Sequence, residues 1–126
     1  VKLRLIDPPR HDAARPGRSG LGYDYEPGDC WYAAAGPGGD WCVWPDAPEG
    51  RGRYSLSPEI AAGGDPPEIL VLPNGALFCL RWEASSGGRW QVSGRLPDVT
   101  VSPSIWYDPG GDREWHGHIR AGELVG

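Results

Sequence analysis

Glycine and proline interrupt this chain so often that long helices are excluded. The longest stretch free of both, residues 76–86, runs eleven residues, and residues 29–35 give seven. An isolated helix needs about 12–15 residues to persist in water, and both stretches carry cysteine and aromatic side chains that suit strands instead. An all-β chain follows, with strands expected over residues 1–6, 30–34, 41–44, 53–57, 68–72, 76–83, 89–93, 99–102, 115–119 and 123–125. Asn74-Gly75 is the strongest short hairpin signal, because both residues accept the positive φ that tight β-turns require.

The chain also echoes itself. Residues 30–43, CWYAAAGPGGDWCV, align without a gap on residues 79–92, CLRWEASSGGRWQV, with identity at Cys30/Cys79, Ala35/Ala84, Gly38/Gly87, Gly39/Gly88, Trp41/Trp90 and Val43/Val92. The echo continues at slightly different offsets: SLSPEI at 55–60 matches TVSPSI at 100–105, and the Gly-Gly-Asp at 63–65 matches that at 110–112. A duplicated unit drifts in this way when only its loops change length. The expected architecture is an internally duplicated, pseudo-twofold β-sandwich or small barrel. It comprises a strand and Pro/Gly-rich arm over residues 1–29, a first repeat over 30–77 and a second over 78–126. Residues 7–29 show no periodicity, and a connection that long inside a compact domain is held against something or functional. The repeated apolar positions, Trp41, Trp90, Val43, Val92, Ile60, Ile105, Leu77 and Leu124, are the expected core.

Composition narrows the function classes. The chain has 126 residues, enough for one domain with a real core, and seven Trp with five Tyr supply the large apolar surfaces that disordered chains lack. A formal net charge of −5, with basic residues scattered among carboxylates, argues against a nucleic-acid partner. No apolar run approaches membrane-spanning length, and VKLRLIDPPR has no signal-peptide core. The expected setting is therefore cytoplasmic or virion-associated, with no membrane. Three cysteines cannot form a complete disulfide framework, so buried, reduced thiols are expected.

One cluster could carry chemistry. On a strand, alternation projects Asp112, Glu114, His116, His118 and Arg120 to one side, while Trp115, Gly117 and Ile119 face the other. A His-x-His pair flanked by carboxylates can ligate zinc, so His116, His118, Asp112 and Glu114 are the candidate metal ligands. The repeat places His116 and His118 over Ile69 and Val71, which predicts partial burial for both imidazoles. Other templates fit less well. Ser102 and Ser104 sit in VSPSI without a nucleophile elbow, Ser-Pro recurs in both units as a strand-end turn, and no glycine-rich loop opens a helix. A Trp-rich acidic β domain can also stack sugars on exposed indoles.

Residues 89–124 resemble a family of small uncharacterised proteins encoded by actinobacterial tailed phages and prophages. The shared pattern is carried here by Trp90, Val92, Gly94, Pro97, Thr100, Ser102-Pro103-Ser104-Ile105, His116-Gly117, Arg120, Gly122 and Leu124. His118 stands where that family commonly has an aromatic residue, and this chain lacks the Cys-rich segment that points to metal in related proteins. The resemblance implies a phage setting and no particular activity. Together these readings anticipate a non-enzymatic binding or structural protein, a virion accessory or host-directed factor. It would act through a protein partner or self-association. A metal-dependent or metal-stabilised protein centred on His116 and His118 and a carbohydrate-binding β module are the alternatives.

Overall fold

In a computed structural model, residues 1–36, 40–46, 54–56, 64–84 and 87–126 are described, and among them every regular element is a strand. The strands are β1 (Arg4–Leu5), β2 (Asp29–Tyr32), β3 (Ala34–Ala35), β4 (Trp41–Cys42), β5 (Ser55–Leu56), β6 (Glu68–Val71), β7 (Leu77–Cys79), β8 (Gln91–Ser93), β9 (Thr100–Tyr107), β10 (Trp115–Arg120) and β11 (Glu123–Val125). They form three sheets, ordered β1-β2-β6-β7, β11-β10-β9-β8 and β3-β4-β5. No closed barrel occurs among the described residues.

The first sheet is the middle layer. Along β2, β6 and β7, alternate residues point to opposite faces, and both faces are covered. Cys30, Leu70 and Phe78 join Ile105, Ile119 and Val101 of the second sheet in one core. Trp31, Ile69, Val71 and Cys79 turn the other way, toward Val43, Leu56 and the two tyrosines Tyr23 and Tyr25. Burial on both faces explains why β6 reads Glu-Ile-Leu-Val without alternation and is buried throughout. The outer strand β10 has only one covered face, so Gly117 and Ile119 are buried while His116 and Arg120 stay exposed.

The stretch before β2 is clamped onto the domain. Tyr23 stacks on Trp44 with ring centroids 4.2 Å apart, and its hydroxyl donates to the Asp46 carbonyl at 3.0 Å. The His11 amide donates to the Asp46 carboxylate at 2.9 Å. Asp29, 1% exposed, accepts from Arg4 Nε at 2.9 Å through Oδ1 and from the Glu26 amide at 3.0 Å through Oδ2.

The expected hairpin at Asn74-Gly75 joins β6 to β7, with Gly75 at φ +86° and the Asn74 side chain accepting the Ala76 amide at 2.9 Å. Of the eight expected core positions, Val43, Ile105 and Leu124 are buried. Trp41, Trp90, Val92 and Leu77 are half-buried against the two cores, and Ile60 lies outside the described residues. Ser57-Pro58 and residues 37–39 and 85–86 of the two echoed stretches also lie outside them.

The two echoed stretches share hairpins but differ in assembly. Strands β4-β5 and β8-β9 are antiparallel pairs, as are β6-β7 and β10-β11, but the registers differ: Leu56 faces Trp41 whereas Val101 faces Val92, and Val71 faces Leu77 whereas His118 faces Val125. Moreover, β6 pairs with β2, whereas β10 pairs with β9.

Strand β9 runs past its expected end at Ser102. Val101 pairs with Ile119 and Ile105 with Gly117, so three residues of β9 face one of β10. This bulge accommodates Pro103, which has no amide to donate to a regular ladder.

Replacing Asp29 by alanine removes a buried carboxylate and three hydrogen bonds to it. Urea denaturation of Asp29→Ala is expected to show a loss of about 2–4 kcal/mol, from typical values for buried charge-assisted bonds. A loss below about 0.5 kcal/mol, the range of ordinary surface substitutions, would show that this lock does not hold the strand.

Candidate functional site

The expected metal ligands do not converge. Asp112 lies exposed in the loop between β9 and β10, before the strand begins. Glu114 Oε2 accepts from Trp106 Nε1 at 2.6 Å and from the Gly110 amide at 3.1 Å. His116 Nε2 lies 3.1 Å from Ser104 Oγ, and His118 is half-buried on the same strand face, paired across the ladder with Val125. Among the described residues no group of three or more His, Cys, Asp or Glu side chains is close enough to hold a metal ion. Glu114 and His116 direct their bonds at Trp106, Gly110 and Ser104. The expected burial of both imidazoles also fails for His116, since β10 lies in a sheet with one open face and β6 in the middle sheet.

The same residues instead build an aromatic wall. His116 and Trp106 are directly opposed across β9 and β10, and their rings stack with centroids 5.1 Å apart and an interplanar angle of 18°. Cross-strand aromatic pairs on a solvent face are a usual source of sheet stability. Trp106 is nevertheless 55% exposed. Its orientation is fixed at three points: the indole N–H on Glu114, the stacked imidazole, and the backbone ladder on either side. The indole N–H, followed by the Gly110 amide, also holds the Glu114 carboxyl below the usual range, so this group is an anchored acceptor and not a proton donor.

That wall borders a cleft of about 330 Å³. Phe78 forms the floor, with the edges of Trp82 and Trp90 packed on it at 5.4 and 5.2 Å in T-shaped contacts. Glu83, Asp108 and Ser104 supply oxygen atoms at the rim. A second cleft of about 460 Å³ adjoins it, lined by Leu21, Tyr25, Tyr54, Leu77 and Arg113. Trp82 and Tyr107 line both, so the two clefts make one furrow. Six large apolar side chains are exposed in the described structure, and three of them, Leu21 (57%), Tyr54 (46%) and Trp106 (55%), lie on it.

One further cleft and the cysteine thiols are engaged structurally. A cleft of about 420 Å³ beside Tyr32, Arg81 and Arg95 is crossed by the Arg81–Glu68 pair, at 2.8 and 2.9 Å, and the Tyr32 hydroxyl accepts the Leu96 amide at 3.0 Å. All three cysteines are free and buried. Desolvation pushes the Cys30 thiol up to about 12 and that of Cys79 to about 11, so both are neutral at pH 7 and are poor nucleophiles.

Among the described residues, no helix is long and apolar enough to cross a membrane. No protein-family model, curated protein or solved structure matches the chain. The functional reading therefore rests on the furrow itself.

Two measurements check this description. A thiol reagent such as DTNB should label none of the three cysteines in the native protein within minutes and all three in denaturant; rapid native labelling would contradict their burial. Because the Glu114 pKa is lowered on folding, its contact with Trp106 contributes stability above the unfolded value of about 4.3. That contribution is lost as pH falls through the lower folded value. Indole fluorescence should thus show an acid component below about pH 4. The Glu114→Gln variant should lack this acid component, and an identical profile in the variant would remove Glu114 as its source.

Proposed function

We propose that this chain is a non-catalytic binding protein of the phage type, a virion accessory or host-directed factor, that engages another macromolecule through the aromatic furrow. The observation that carries this reading is the placement of Leu21, Tyr54 and Trp106 on two clefts joined at Trp82 and Tyr107. Large exposed apolar groups gathered on one concave surface and rimmed by polar atoms mark interaction sites. A lateral furrow suits a partner longer than one cleft. The phage setting is supported by the pattern shared over residues 89–124.

Binding is favoured over catalysis by the chemistry of the furrow. Its best-fixed ionisable group, Glu114, is stabilised as a carboxylate, while a general acid at neutral pH needs a raised value. Aromatic anchors of fixed orientation are the groups that dominate binding energy at interfaces.

The test screens the purified protein against a glycan array and a displayed peptide library, then repeats any positive with Trp106→Ala and Tyr54→Ala. Both side chains are exposed, so both variants should keep the native melting temperature within a few degrees. Removal of an aromatic anchor should weaken binding by about 2 kcal/mol, roughly 30-fold. Partners that bind both variants as well as the parent would place recognition elsewhere on the surface.

A further inference from the structure

We propose that Asn74 is a site of spontaneous deamidation that the fold holds closed, and that its reaction unlatches the two sheets from each other. Asn74 and Gly75 form the half-buried tip of the β6-β7 hairpin, and Asn74 is the only asparagine in the chain. In an Asn-Gly pair the glycine nitrogen, with no Cβ beside it to hinder approach, can attack the preceding carboxamide carbon. The Gly75 nitrogen gives up its proton to solvent hydroxide and bonds to Asn74 Cγ, while the carboxamide nitrogen takes a proton and leaves as ammonia. The five-membered succinimide so formed takes up water at either of its two carbonyls. One opening leaves aspartate at position 74; the other leaves isoaspartate, in which the chain runs through the side-chain carbon. One water enters and one ammonia leaves, and no other reactant is needed.

Both reacting groups are engaged in the native hairpin. The Gly75 N–H, whose proton must be lost, donates to the Leu72 carbonyl at 2.8 Å. The Asn74 carboxamide is held at both ends: Oδ1 accepts from the Ala76 amide at 2.9 Å, and Nδ2, the leaving nitrogen, donates to the Arg113 carbonyl. Arg113 lies in the loop between β9 and β10, so this bond joins the first sheet to the second. The loop is itself braced, with the Arg113 amide on Asp108 Oδ2 at 3.2 Å and the Gly111 amide on the Asp108 carbonyl at 2.9 Å. Turning the carboxamide toward the Gly75 nitrogen requires the contact with Arg113 to break first. The product cannot restore it. A carboxylate has no N–H to donate, so its oxygen would face the Arg113 carbonyl in a loop that already carries Asp108. Isoaspartate also adds a methylene to the backbone of the turn. Gly75, Leu77 and Arg113 line the second cleft, so the reaction alters one wall of the furrow.

Intact-mass spectrometry of the protein kept at mildly alkaline pH, native and in urea, follows the mass gained as NH2 becomes OH, and peptide mapping places it. Gln91 is the only other side-chain amide, so the assignment has a single competitor. The gain should map to Asn74. It should accrue roughly ten- to a thousandfold more slowly in the native protein than in urea, the factor for an open state populated at about 0.1–10%. Asp108→Gly, which frees the Arg113 loop and suits the positive φ of 49° at that position, should speed the native reaction and leave the rate in urea unchanged. Asn74→Asp, which supplies the aspartate product directly, should melt several degrees below the parent at pH 7. Equal rates in the native and unfolded protein would show that the hairpin does not hold the site closed. A native rate indifferent to Asp108→Gly would remove the Arg113 contact as the gate, and an Asn74→Asp variant that melts with the parent or above it would refute the unlatching.

Discussion

The fold depends on one short strand that belongs to two sheets at once. Residues 1–3 bond to β11, through Leu3 N to Gly122 O at 2.7 Å and Leu124 N to Val1 O at 2.7 Å. Residues 4–6 then bond to β2, with Arg4 N on Gly28 O at 2.8 Å and Ile6 N on Cys30 O at 2.9 Å. Leu3, buried at the crossover, sits in the core that both sheets share. The change of partner brings the edge of the second sheet next to the edge of the first. Backbone groups of β11 and β2 that would otherwise be open edges are satisfied there. The Arg4–Asp29 lock fixes the register of this strand, and the register sets how the two sheets face each other.

A middle sheet covered on both faces has a consequence for the echoed halves. Strands β6 and β10 occupy corresponding places in the echo, yet one strand lies between two cores and the other at the surface. Ile69 and Val71 must be apolar because each faces a core, whereas His116 and His118 occupy the uncovered face of an outer strand. The echo is therefore not carried into sheet order, which depends on what each hairpin finds to pack against.

The same distinction explains what could be read from residues alone. Strand positions were legible because glycine and proline set their limits and alternation or apolar runs filled them. The hairpin at Asn74-Gly75 was legible from turn chemistry. The furrow was not, and one residue accounts for much of this. Pro103 reads as the end of a strand, so Ser104 and Trp106 carry no face assignment. In the structure a bulge absorbs Pro103, β9 continues, and Trp106 emerges opposite His116. Extending the alternation beyond the proline, with Ile105 inward, would have placed Trp106 on the solvent face. The His-x-His pattern was read correctly as a strand face. The partners that Glu114 and His116 find on β9 and its loop are ones that no spacing rule on β10 can supply.

Such partners also fix the exposed indole. A free tryptophan on a β-sheet samples several rotamers, and binding must then order it at a cost of about 0.5–1.5 kcal/mol per side chain. Here Glu114, His116 and the β9-β10 ladder fix Trp106 before any ligand arrives, while Phe78 fixes Trp82 and Trp90 from below. The ordering cost is met in folding, through contacts that also stabilise the outer sheet. The solvent-facing surface of the rings can then contribute to recognition with little further loss of entropy.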